Sequence, residues 1–173
     1  MYDTDGDCSP TIDISHAKIH RGNSFVYARE FTIASSGSSA ILIVPAVGEE
    51  LHFTADISTK GASISRLYRN PVIASNGSEV DWLNRNDKYQ GTKVLTSKVY
   101  LNPSYSLAAL PNKGLLDTGY IGAGVRGGIG LSVSKDEFVM TNDNKYVLET
   151  VDTAAASNPS AVVLQVYRAG QPY

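Results

Sequence analysis

At 173 residues the chain is long enough to bury roughly 70% of the surface its unfolded form would expose, so one self-sufficient domain is expected. Only 18% of residues are charged, the net charge is −2, and no basic cluster occurs, which excludes a phosphate-neutralising surface for nucleic acid. The single cysteine, Cys8, excludes an internal disulfide and suits a reducing cytoplasm.

Composition already favours an all-β fold. Fifteen glycines and ten tyrosines, with many Ser, Thr and Val, suit pleated strands and tight turns. Met1-Tyr2-Asp3 lacks a basic segment followed by an apolar one, and nowhere do eighteen apolar residues run together. Neither a signal peptide nor a membrane span is expected.

Residues 1–13 carry Asp3, Asp5, Asp7 and Asp13 with Gly6 and Pro10 and show no periodicity, which reads as an extended acidic arm preceding a single domain over 14–173. Asp3-Thr-Asp5-Gly-Asp7 matches a calcium loop only in part: Cys8 stands where Gly must follow the third ligand, and Ile14 where Glu must close the loop. No metal site is expected there. His16 and His20 have the spacing of a two-histidine metal site if helical, but no Glu follows His16 and His52 is the only other histidine, so hydrogen bonding to backbone is the expected role. Residues 25–33 then form a strand with Phe25, Tyr27, Phe31 and Ile33 on one face and Arg29 interrupting, and 35–39 form a short flexible loop. The unbroken apolar run Ala40-Ile41-Leu42-Ile43-Val44 suits a strand covered on both faces.

From Leu51 the alternation is strict: Leu51, Phe53, Ala55 and Ile57 against His52, Thr54, Asp56 and Ser58. Lys60-Gly61 breaks it, and Ala62, Ile64 and Tyr68 resume it with Leu67 out of phase as a β-bulge would leave it, so a hairpin is expected. Asn70-Pro71 and Asn76-Gly77 are turns. Trp82 is a candidate interface anchor, although a lone tryptophan in a sandwich is more often core. A strand over 93–101 and a helical turn over 107–110 follow.

Residues 122–127 fit the letters of G-x-G-x-x-G without the strand and helix that motif requires, so a closely packed glycine loop is expected, with Arg126 as its contact residue. Strands over 137–140 and 146–151 flank a turn at 141–144, a soft loop covers 154–159, and Val162, Leu164 and Val166 define a last strand ending at Arg168. About ten strands at short spacing with almost no helix mean a two-sheet β-sandwich, jelly-roll-like, with an extended N-terminal arm. No G-x-S-x-G elbow exists, and a carboxylate pair such as Asp81 with Glu137 has no support in spacing, so no enzyme activity and no cofactor are expected.

The segment His16-Ala-Lys18-Ile19-His20-Arg-Gly22-Asn-Ser-Phe25 resembles the opening His-x-x-Ile-His-x-Gly-x-x-Phe/Tyr of small virion proteins of tailed bacteriophages, the head decoration or cement proteins. Leu67-Tyr68, Asn84-Arg85-Asn86, the glycines of 122–128, Glu137, Asn144-Lys145-Tyr146 and Leu164-Gln-Val-Tyr167 follow in the family's order. Lys18 stands where many relatives carry Glu. The resemblance implies a β-sandwich made in the bacterial host cytoplasm and incorporated in the virion. It further implies binding to the major capsid protein, assembly as a homotrimer, and no catalytic site. Candidate capsid or subunit contacts are then Asp3, Asp5, Asp7, Arg126 and Trp82. The alternative on the same scaffold is a neck or tail appendage or a lectin-like module, for which Tyr89, Tyr105 and Tyr120, read as loop residues, are candidate glycan contacts.

Overall fold

The structure, a computed structural model, describes residues 14–107, 114–122, 126–129 and 138–168, with the backbone alone over 14–16 and 126–129. It opens on a helix α1 (Ile14–His20) and continues with β1 (Ser24–Ile33), β2 (Ser38–Val44), β3 (Leu51–Thr59), β4 (Ser63–Arg69), β5 (Val72–Ser75), β6 (Ser78–Val80) and β7 (Leu83–Asn84). A single 3₁₀ turn (Asp87–Tyr89) precedes β8 (Lys98–Leu101), β9 (Ser104–Ser106), β10 (Leu115–Ile121), β11 (Arg126–Ile129), β12 (Phe138–Met140), β13 (Tyr146–Asp152) and β14 (Asn158–Arg168).

The strands form two six-stranded antiparallel sheets. The first runs β11-β3-β14-β1-β7, with β12 also on β3; the second runs β10-β4-β13-β2-β8-β6. Of the main strands, β1, β3, β11 and β14 lie in one sheet and β2, β4, β10 and β13 in the other, in the order of a double Greek key. This is a jelly roll, as expected from the sequence.

That topology corrects the expected hairpin. β3 and β4 belong to different sheets, β3 pairing with β14 over 51–59 and β4 with β13 over 63–69. A Gly-bearing break between two alternating runs looks the same whether the chain folds back beside itself or crosses to the facing layer. Here the crossing is pinned by β14, since Pro159 O accepts from Lys60 N at 2.9 Å and Asn158 Oδ1 from Gly61 N at 2.6 Å. The irregularity expected at Leu67 lies on the neighbouring strand: β4 pairs with β13 without interruption, while β10 shifts register between Leu115 and Asp117, opposite Tyr68 and Leu67. Leu67 points into the main core, and Tyr68 lies on the opposite face in a second, smaller core.

β2 shows why a second core exists. Ile41 and Ile43 join the main core, while Ala40 and Leu42 face the other way against Tyr68 and Val147. The small two-stranded sheet β5–β9 covers that outer face, bringing Ile73 and Tyr105 onto it. Glu149 fastens this cover: Tyr105 Oη donates to it at 2.7 Å, Tyr68 Oη at 3.3 Å, and Arg66 Nη1 lies 3.6 Å away. Burial, reinforced by the Glu149 carboxylate, pushes the Tyr105 hydroxyl well above the usual phenol range, so it remains a donor in alkaline solution.

Other boundaries also move. The loop at 35–37, expected to be flexible, is tied down by Ser36 N donating to the buried Asp152 at 3.2 Å. Asn158 and Pro159, expected in a loop, begin β14 opposite Ile33 and Thr32. The proposed helical turn at 107–110 lies outside the described residues except for Leu107.

Leu42 is fully buried on the face of its sheet that an ordinary sandwich exposes to water. Leu42→Ala is therefore expected to cost about 2–5 kcal/mol in urea unfolding, the range for a core leucine. A cost under about 0.5 kcal/mol, typical of surface positions, would contradict the double-sided burial.

Candidate interaction surface

Residues 14–20 form a helix that the sequence pattern did not announce, because its apolar residues are few and its stability comes from how it ends. Gly22, at φ 68°, closes it as a Schellman cap: Gly22 N donates to Ile19 O and Asn23 N to Lys18 O, each at 2.9 Å. Lys18 is buried in this helix. Asparagine side chains sixty residues away satisfy further carbonyls of the corner. Asn84 Nδ2 donates to Gly22 O at 2.9 Å, and Asn86 Nδ2 lies 3.2 Å from Ile19 O and 3.3 Å from His20 O. The Tyr89 ring packs on Gly22 so closely that a Cβ there would stand 2.3 Å from Cδ2.

The corner continues into a second clamp. Lys93 Nζ caps Arg21 O and lies 4.6 Å from the Tyr89 ring centroid. Residues 93–97, expected to be strand, form a loop because Glu49 takes their donors: Thr96 N at 3.2 Å, Ser97 N at 2.8 Å and Ser97 Oγ at 2.6 Å. Arg168 Nη2 pairs with Glu49 at 2.7 Å and also donates to Val94 O, while its guanidinium lies over the Phe25 ring. Burial pushes the Glu49 carboxyl up, but the Ser97 and Thr96 hydrogen bonds and Arg168 outweigh it and hold the carboxyl below the usual range.

These bonds join the loops 45–50 and 90–97 to the helix corner and display apolar side chains on a fixed frame. Val47 is 91% exposed, Val94 64% and Leu83 57%.

The residues singled out from sequence lie elsewhere. Asp3, Asp5 and Asp7 fall outside the described residues. Arg126 is not in a free loop but opens β11, in register with Ser58 of β3, so the stretch after 125 is strand and offers no helix N-terminus to a pyrophosphate. Trp82 is partly buried against the main core, with Nε1 buried and without an acceptor among the described residues. Tyr89 packs in the corner, Tyr105, on β9 rather than in a loop, is tied to Glu149 of β13, and Tyr120 projects from β10 at 80% exposure. Of the carboxylate pair, Asp81 is exposed and Glu137 is outside the described residues. His20 ends α1, whereas His52 stacks on Tyr167 at 4.7 Å on the outer face of the first sheet. Among the described residues no three of His, Cys, Asp and Glu come together to hold a metal. No helix among them is long and apolar enough to cross a membrane. The Glu49 clamp and the asparagine corner were missed because their partners are far apart in sequence.

No family model matches the chain, and no curated protein does. Among solved structures, the mitogen from Yersinia pseudotuberculosis matches over 86% of this chain and 89% of its own at 11% identity, with a TM-score of 0.35.

Two measurements test the corner and the clamp. Gly22→Ala should destabilise the protein by more than Gly91→Ala. Both positions have positive φ, costing about 1 kcal/mol, but only at Gly22 would the Cβ also strike a ring, whereas nothing lies within 4 Å at Gly91. Equal losses in chemical melts would mean the Tyr89 contact does not constrain the corner. Because the folded Glu49 carboxyl lies below its ordinary value of 4.5, its stabilising contribution is full above that pH and disappears as pH falls through the folded value. Glu49→Gln should cost about 1–2 kcal/mol at pH 7 and progressively less as pH falls below 4.5, read from melts over a descending pH series.

Proposed function

We propose that the protein is a structural component of a tailed-bacteriophage virion, a decoration protein that binds the outside of the head as a homotrimer and stabilises it. The reading rests on the ordered motifs of the sequence, and one observation carries it: segments that resemble the family at distant positions meet in the fold. The His16–Phe25 stretch meets Asn84-Arg85-Asn86 through the asparagine bonds to Gly22, Ile19 and His20. Leu164-Gln-Val-Tyr167 lies beside both, with Val166 paired to Phe25 and Arg85 Nη1 donating to Gln165 at 3.0 Å. Leu67-Tyr68 pairs with β13 directly after Asn144-Lys145-Tyr146, and Asn70 bridges the two, accepting from Lys145 N at 2.9 Å and donating to Asn144 at 2.6 Å.

Motifs that brace one another describe a rigid scaffold, and a cement role asks for rigidity and contact area rather than catalysis. Val47, Val94 and Leu83 supply apolar contact on the loop-bearing end. Asp3, Asp5 and Asp7 supply an electrostatic tether to the capsid or to a sister subunit.

Purified protein should saturate emptied heads of its phage in sedimentation, at threefold-related positions in a density map of the particle. Binding should weaken as salt rises and weaken further when residues 1–13 are removed, with the thermal melt of the free protein unchanged. Absence from the head, or occupancy indifferent to both salt and truncation, would overturn the decoration role and the arm respectively.

A further inference from the structure

The first sheet is narrower than the second on one flank. The strand orders, counted from the flank where β10 and β11 run together, set β11, β3, β14 and β1 opposite β10, β4, β13 and β2. The second sheet then continues with β8 and β6, whereas the first continues only with β7, which pairs with Phe25 and Val26. Among the described residues no strand pairs with that side of β1 over 27–33. About 20 Å of ladder edge is left open there.

The side chains under this edge are distinctive. Tyr27, Arg29 and Phe31 point inward, because their ladder partners Leu164, Val162 and Ser160 are buried residues of β14. Tyr27 and Phe31 are only partly buried against the main core, as are Val80 of β6, Leu101 of β8 and Trp82 on the crossing from β6 to β7. An unpaired edge above a row of partly covered apolar groups is the receiving half of β-strand addition. Arg29 sets the terms of entry. Its guanidinium lies 5.9 Å from the Phe31 ring centroid, and it forms no ion pair among the described residues. A strand bringing only apolar or basic groups would bury that charge unpaired, which is why inward charges protect edges from indiscriminate pairing. A strand bringing an acid beside it meets no such penalty.

We infer that this flank is a docking groove for an extended segment of a partner polypeptide whose inward side chains read apolar, acidic, apolar. The acid meets Arg29, and the apolar groups cover Tyr27 and Phe31. The groove does not depend on the virion reading, and a peptide alone tests it.

Trp82 is the single tryptophan of the chain and stands on the groove wall, so it reports occupancy. The full chain is titrated with the peptide Ser-Val-Thr-Asp-Thr-Val-Ser and with its counterpart carrying Lys for Asp, following Trp82 emission and the amide resonances of 27–33. The Asp peptide is expected to give a saturable response at both, and the Lys peptide to bind at least tenfold more weakly. Arg29→Glu should reverse this preference, and Arg29→Gln, which keeps size and polarity, should abolish it. No response up to millimolar peptide overturns the groove, and a preference unchanged in both variants overturns the role of Arg29. Amides of 27–33 already protected from exchange in the free chain also overturn the inference, since one of the chain's own segments would then hold the edge.

Discussion

β2 sets the plan of the molecule. Its run Ala40-Ile41-Leu42-Ile43-Val44 places apolar groups on both faces, and a strand of that kind cannot sit in a sheet with one side in water. The first sheet covers Ile41 and Ile43. Ala40 and Leu42 then need a third layer, and the β5–β9 pair supplies it. The sandwich is thus three layers deep at its centre, and the short segments between β4 and β10, which would otherwise be connections, become structural.

The added layer and the loop end are held by carboxylates, Asp152 buried and Glu149 and Glu49 half-buried, used in a common way. Glu149 gathers two tyrosine hydroxyls and Arg66, Glu49 gathers two backbone amides, a serine hydroxyl and Arg168, and Asp152 gathers Ser36 N, Ala154 N and the Asn158 amide. A carboxylate can accept several hydrogen bonds at once, so one residue can satisfy donors from two or three segments that no ladder reaches. In this molecule polar side chains fix the loops, and the apolar strands fix the layers. The loops that carry the exposed Val47 and Val94 are thereby braced by the chain's own polar groups.

Arg29 belongs to the same balance between stability and contact. It occupies an inward position of the strand that borders the narrower flank, where a purely apolar residue would pack more tightly but leave the edge open to any strand. A charge at that position makes the edge selective. The loop end and this flank are different in kind, the first presenting side chains and the second presenting backbone.

The sequence by itself determined the all-β class, the strands with strict alternation or continuous apolar runs, and the double-sided burial of β2, because these depend on local period and on which side chains avoid water. It could not determine which strands are neighbours. β3 and β4 carry the signals of a hairpin and became facing strands, since ladder partners are chosen by the whole set of segments, and β3 found β14 and β4 found β13. The helix 14–20, the loop 93–97 and the Asn84–Asn86 corner likewise went unread. Each is stabilised by bonds to residues distant in sequence, and in 93–97 those bonds overrode a pattern that favoured a strand. Trp82 was legible as core or interface but not as which, because the core it packs against is assembled from strands distant in sequence. Local period fixed most of the strands, and only tertiary structure, by bringing distant donors to shared carboxylates and leaving β1 over 27–33 without a strand partner on one side among the described residues, decided the loops and the surfaces they present.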